Sequence, residues 1–257
     1  MDTQLITAVY LGILGAMVGS FLNVCIYRFP QGGSIVVPRS RCPRCGTPIR
    51  WYDNIPLVSF ILLRGKCRTC GGQISIQYPL VEAAGAALLV VLYCKVGLSF
   101  DLLEDAILLF ILLGIAVTDV RTYTIPDGFS VSGIVLGLLL SFLPGGITPL
   151  ESLIGLLVGG GSLYLVALIG EFIFKKEAMG GGDVKMLAMI GAFLGWPGVL
   201  FTLFVGSLTG SFIFGWINFV LRKKKLVPFG MFLAIGAGVY TFAGPELIAW
   251  YLSFFNL

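Results

Sequence analysis

The chain contains no histidine. That excludes serine–histidine and cysteine–histidine catalytic pairs and any imidazole metal ligand. Chemistry here must come from Asp, Glu, Cys, Lys, Tyr or the backbone. Charge is scarce as well: 12% of the 257 residues are charged, 57% are hydrophobic, and mean hydropathy is +0.97. A chain so poor in charge cannot hide its apolar surface in one aqueous core, so lipid must be its solvent. The net charge of +4 sits on too few and too segregated residues for a nucleic-acid surface, and no nucleic-acid partner is expected. Residues 1–4 lack a basic n-region, and the first apolar run is long enough to span, so it is read as a helix rather than a cleaved signal.

What is abundant is apolar sequence. Eight runs read as spans: 5–25, 78–96, 106–118, 128–143, 152–174, 184–196, 199–221 and 229–255. The fold expected is an all-α polytopic membrane protein with about eight transmembrane helices. The loop at 28–77 holds Arg28, Arg39, Arg41, Arg44, Arg50, Arg64, Lys66 and Arg68. Arg121 follows the third run, Lys175, Lys176 and Lys185 flank a glycine stretch, and Arg222 to Lys225 read "RKKK" after the seventh run. These place 16 of the 17 basic residues on one side, with Lys95 left over, while Asp101, Glu104, Asp105, Glu151 and Glu246 lie on the other. The positive side is expected to be the cytoplasm, with both termini outside. Three regions follow: a first helix at 1–27, a cytoplasmic insert at 28–77 and a membrane core at 78–257.

The insert contains "CPRC" and "CRTC". Cys42, Cys45, Cys67 and Cys70 form two C-x2-C knuckles 21 residues apart. Four thiolates so arranged close a tetrahedral shell around Zn²⁺. Gly46, Gly71 and Gly72 allow the tight turns that bring paired sulfurs onto one ion. Two disulfides are the competing reading, disfavoured in a reducing cytoplasm. A full four-cysteine shell has no open position for water, so the zinc is expected to be structural. Cys25 and Cys94 fall in apolar runs and read as small buried hydrophobes.

Two carboxylates share an unusual placement. Asp119 lies 14 residues after Asp105, and Asp183 lies 14 residues before Pro197. At the rise of an α-helix each run covers about 21 Å, against a hydrocarbon core about 30 Å thick. Both carboxylates then fall at one depth, inside the cytoplasmic face. Intramembrane carboxylates are costly, and a close pair supplies a reason, because two neighbouring carboxylates share one proton. One then activates water as general base while the other acts as general acid. Gly180, Gly181 and Gly182 precede Asp183 and would let an extended substrate backbone approach it. Plainer readings stand beside this one. Asp183 reads equally as an N-cap, Asp119 as the partner of Arg121 in a loop salt bridge, and Asp127 in "IPDG" as a turn or cap. Glu171 and Glu177 face Lys175 and Lys176. Glu82 either lines a cavity or hydrogen-bonds a neighbour.

At these residues the chain resembles the type IV prepilin peptidases (prepilin leader peptidase/N-methyltransferase). "GSFLNVCIYRFP" at 19–30, the paired knuckles, "QYPLVEA" at 77–83, "TDVRTYTIPD" at 118–127 and "GGGD" at 180–183 stand in the family's order. The resemblance implies that Asp119 and Asp183 are the catalytic aspartates. It implies cleavage of the basic leader of type IV prepilins or type II secretion pseudopilins after a glycine, at the cytoplasmic face of a bacterial inner membrane. It further implies N-methylation of the new N-terminal residue from S-adenosylmethionine, a function it ties to residues 19–77. No glycine-rich Rossmann-type loop is present to place that donor. An ion-coupled transporter with intramembrane carboxylates is the alternative, although no internal repeat is seen and the cysteine knuckles have no role in it.

Overall fold

A computed structural model describes residues 3–175, 179–221 and 228–254. Lys176, Glu177 and the "RKKK" of 222–225, used above for orientation, lie outside the described residues. The helices are α1 (Thr3–Arg28), α2 (Val58–Leu62), α3 (Gln77–Val96), α4 (Phe100–Thr122), α5 (Asp127–Leu140), α6 (Pro149–Phe174), α7 (Gly181–Leu221) and α8 (Phe229–Ser253). The chain divides into two compact units, Met1–Ala106 and Ile107–Leu257.

In the first unit α1 and α3 pack against each other. Glycines set the distance. A methyl group on Gly15 would lie 2.3 Å from the Gly85 carbonyl oxygen, and one on Gly19 would lie 2.7 Å from that of Val81. With so little between them, the backbones touch, as small residues permit between membrane helices. Asn23 staples the seam: its amide donates to the Gly19 carbonyl at 3.3 Å and to the Tyr78 carbonyl at 3.2 Å. The insert between α1 and α3 has almost no regular structure. One of its internal ties is the Arg68 guanidinium, which donates to both oxygens of Asp53 at 2.6–3.0 Å and lies 5.5 Å from the centre of the Tyr52 ring. That hydrogen bond holds the Asp53 carboxyl below the usual carboxylate range.

The second unit is organised around α7, which packs against α5, α6 and α8. Met186, Leu187, Met189 and Ile190 are wholly buried on it. Its backbone breaks at Gly195, which takes φ 66° and ψ −177°, a conformation open to glycine and strained for other residues. Pro197 follows and cannot donate to the helix ladder. α6 starts at a capping box: Thr148 Oγ1 accepts from the Glu151 N–H at 3.3 Å, and Glu151 accepts from the Thr148 N–H at 2.8 Å.

The architecture is all-helical among the described residues, and its long apolar helices make this a multi-pass membrane protein. Eight spans are not confirmed. Five helices among the described residues are long and apolar enough to cross a bilayer: Thr3–Gln31, Gln77–Val96, Pro149–Ile173, Gly181–Ile217 and Phe229–Ser253. The runs at 184–196 and 199–221 correspond to two helical segments of α7 that meet at the non-helical Gly195. α5 has 14 residues and reaches only about 21 Å. α4 is long enough, but it carries Asp101, Glu104, Asp105, Asp119 and Arg121. Cys94 also departs from expectation. Cys25 is buried as foreseen, whereas Cys94, on α3, is exposed.

Candidate active site

Three helix ends, those of α4, α7 and α8, meet around two carboxylates. Asp119 lies in the last turn of α4 and is only 4% exposed. It is not a loop residue, and it does not pair with Arg121; the ion pairs among the described residues are Arg68–Asp53 and Lys185–Asp127. Asp119 Oδ2 accepts the Met231 N–H at 3.1 Å, and the Gly230 N–H lies close enough to add its positive end to the same carboxylate. Both amides belong to the first turn of α8, where N–H groups have no partner within the helix and face outward.

Asp183 stands in the first turn of α7, inside the helix rather than at its N-cap. Its own N–H bonds the Gly180 carbonyl at 3.1 Å. The side chain folds back over Gly180, where a methyl group would meet Asp183 Oδ2 at 3.3 Å. The two carboxylates are near enough for the charge of Asp119 to act on Asp183.

Ile125 ties the two places together. A methyl group on Gly182 would lie 2.9 Å from Ile125 Cβ, and one on Gly230 would lie 2.7 Å from Ile125 Cδ1 and 3.0 Å from Asp119 Oδ2. Ile125 thus fills the space between the starts of α7 and α8, with one carboxylate beside each. The space over Gly182 is taken by this side chain, while that over Gly181 is open. The other acids foreseen as candidates stand apart. Asp127 opens α5 and pairs with Lys185 of α7 at 2.7 Å, an exposed contact. Glu171 makes no ion pair among the described residues.

Gly230 and Met231 were missed by the sequence reading. The available signal was Pro228, Phe229 and Gly230 at the start of an apolar run, a helix-start pattern. Nothing in that pattern says which distant carboxylate the free N–H groups meet.

The four insert cysteines do come together. Their sulfurs all lie within 4.8 Å of one another, and Cys42 Sγ and Cys70 Sγ are 3.9 Å apart. A tetrahedral zinc–thiolate shell has sulfurs about 3.8 Å apart. The knuckles are built alike. The Cys42 N–H bonds the Thr47 carbonyl at 3.0 Å and the Gly46 N–H bonds the Cys42 carbonyl at 2.8 Å. In the second, the Cys67 N–H bonds the Gly72 carbonyl at 2.8 Å and the Gly71 N–H bonds the Cys67 carbonyl at 2.9 Å. Gly46 and Gly71 take φ 71° and 67°, which a side chain would resist. The Thr47 hydroxyl and N–H hold the Cys45 thiol down to about 6, while, against the Gly72 N–H, desolvation and the neighbouring sulfurs push the Cys70 thiol up to about 11. All four are free thiols, so the disulfide reading has no geometric support.

Two family models match separate parts of this chain. The family described as "Bacterial Peptidase A24 N-terminal domain" matches residues 13–96, and "Type IV leader peptidase family" matches residues 106–215. A prepilin leader peptidase/N-methyltransferase from Aeromonas salmonicida (strain A449) is 35% identical over 270 residues, covering 94% of this chain and 92% of the relative. One of the same name from Neisseria gonorrhoeae is 34% identical over 269 residues, covering 94% and 93%. Another from Myxococcus xanthus (strain DK1622) is 41% identical over 206 residues, covering 80% of this chain and 62% of the relative's length. No solved structure matches.

Proposed function

Because the chain belongs to the type IV leader peptidase family, we propose that it is a membrane-embedded aspartic endopeptidase acting on type IV prepilins or pseudopilins. It cuts the basic leader after a glycine, and it then N-methylates the new N-terminal residue from S-adenosylmethionine. The observation that carries the peptidase reading is the meeting of Asp119 and Asp183 at the converging ends of α4, α7 and α8.

The dyad holds one proton between two carboxylates. The ionised member takes a proton from water as its oxygen attacks the scissile carbonyl. The protonated member donates to the carbonyl oxygen, and a tetrahedral intermediate forms. When that intermediate collapses, a carboxylic acid donates to the leaving amine, and the dyad returns to one shared proton. Neither histidine nor a catalytic metal is needed, which fits a chain that has no histidine. Gly180 leaves room for the Asp183 carboxylate and Gly181 leaves the approach open; Gly182 contributes by packing on Ile125 rather than by contacting substrate. The cationic loops put this site and the insert at the cytoplasmic face, with both termini outside. Residues 78–257 then form the peptidase core and 28–77 the zinc insert.

In this reading Zn²⁺ is held by Cys42, Cys45, Cys67 and Cys70 and cross-links a segment with little core of its own. One zinc per chain is expected by elemental analysis. Cys67→Ser with Cys70→Ser should lose the metal and lower the melting temperature. Metal-free protein with both knuckles oxidised would refute the assignment.

The direct test incubates purified protein with a prepilin-type substrate, with and without S-adenosylmethionine, and weighs the products. Cutting after the leader glycine is expected in both, with one added methyl group when the donor is present. An intact leader from folded, zinc-loaded protein would overturn the peptidase reading, and aspartate-dependent ion flux would then favour the transporter.

A further inference from the structure

We infer that Glu82, in the first unit, receives the α-ammonium group of the leaderless substrate and takes its proton for methyl transfer. This rests on the N-methyltransferase half of the function proposed above. Two carboxylates are buried among the described residues, one in each unit: Asp119 at 4% exposure and Glu82 at 8%. The peptidase dyad uses the first and leaves the second unexplained.

Glu82 makes no ion pair among the described residues. Its Oε2 accepts the Leu57 N–H at 2.8 Å. A carboxylate accepts at about four lone-pair sites, so this amide orients the group and leaves capacity for a cation. A buried carboxylate without a cation is costly. If the role were only to hold Leu57, a neutral glutamine would accept the same N–H. What glutamine could not do is accept a proton from a bound cation, and a primary ammonium has the matching hydrogen-bonding and acid–base chemistry.

The surroundings are built rather than incidental. Leu57 takes φ 60° and ψ −47°, a strained conformation for a residue with a Cβ, and such strain gathers at functional sites. One turn away on the seam, the amide of Asn23, which is 2% exposed, is tied to two carbonyls, and its Oδ1 accepts from Gln77 at 3.3 Å. Gly19 brings the α1 backbone onto Glu82, since a methyl group there would lie 2.9 Å from Glu82 Cα. The carboxylate is thus fixed on rigid backbone, as a site for proton transfer requires.

The step balances. The ammonium gives one proton to Glu82, which becomes a carboxylic acid. The amine lone pair forms the new N–C bond to the methyl carbon of the sulfonium donor as the C–S bond breaks, and that electron pair stays on sulfur. The products are a neutral thioether and a secondary ammonium, and Glu82 returns its proton to water.

The test compares wild type with Glu82→Gln, which keeps an acceptor for Leu57. One readout is the mass of product from a prepilin-type substrate with S-adenosylmethionine. The other is the affinity of each protein for an oligopeptide with N-terminal phenylalanine, free or acetylated. The expected variant product is cut but unmethylated. Affinity for the free-amine peptide should fall about tenfold, as expected for loss of a charge-assisted contact, with acetylated-peptide binding unchanged. Methylation at the wild-type rate, or equal loss of affinity for both peptides, would overturn the inference. Failure of wild type to cut would instead count against the peptidase reading, and the peptide-binding comparison would still decide the role of Glu82.

Discussion

Asp119→Asn and Asp183→Asn should each reduce leader cleavage by about a thousandfold or more while leaving the helices intact. The magnitude follows from removing a general acid–base group, which supplies roughly two to four orders of magnitude. Asparagine keeps the size of aspartate and can still accept the Met231 N–H that Asp119 accepts at 3.1 Å, so the fold has no reason to fail. The double variant should be little worse than either single one, because the two groups share one proton and act as a unit. Single-turnover cleavage, followed by mass spectrometry, measures the loss; zinc content and melting temperature report on the fold. Cleavage near the wild-type rate in either single variant would rule out the dyad. Methylation of a pre-cut substrate should survive both changes, since Glu82 lies in the other unit.

Gly191→Ala should cost about 3 kcal/mol of stability, the upper range for overpacking a close contact. The added methyl group would sit 2.0 Å from the Gly155 carbonyl oxygen and 2.4 Å from its carbon. These are backbone atoms of α6, so no side chain can rotate away and the helices must separate. The reciprocal change is blocked too, with a methyl group on Gly155 meeting the Gly191 carbonyl oxygen at 2.1 Å. Separation would also strain the nearby bond from Ser152 Oγ to the Ala192 carbonyl, now 2.6 Å. Gly161→Ala is the matched control, on α6 with nothing within 4 Å of the new methyl group. It should be neutral or slightly stabilising, as alanine is in a helix interior. Thermal melts in detergent distinguish the two, and equal melting temperatures would show that the α6–α7 contact does not set stability.

The cysteine knuckles illustrate what is legible in local sequence. Their spacing and following glycines specify two similar turns, and the turns alone nearly fix where the sulfurs go. The Asp pair was legible in part. Two short apolar runs flanked by carboxylates singled the pair out, but spacing along the chain does not bring groups together sideways. That required Ile125 between Gly182 and Gly230 and the N–H groups at the start of α8. The Trp196-Pro197 pair was legible as a helix boundary, and the non-helical backbone at Gly195 divides α7 there, whereas the short α5 and the charged α4 could not be judged as spans from apolar runs alone.

By itself, then, the sequence determined that this protein lives in lipid, that its chemistry excludes histidine and that four cysteines can form one metal shell, and it singled out Asp119 and Asp183. Those properties depend on composition and on spacings of a few residues, where covalent geometry and helical rise leave little freedom. Tertiary structure decided the partners of the carboxylates: α8 for Asp119, Gly180 and the Asp119 charge for Asp183, and Leu57 for Glu82. The Asp119, Asp183 and Glu82 contacts that cross between elements depend on how closely helices approach, and glycine-to-backbone contacts between residues far apart in the chain set that approach.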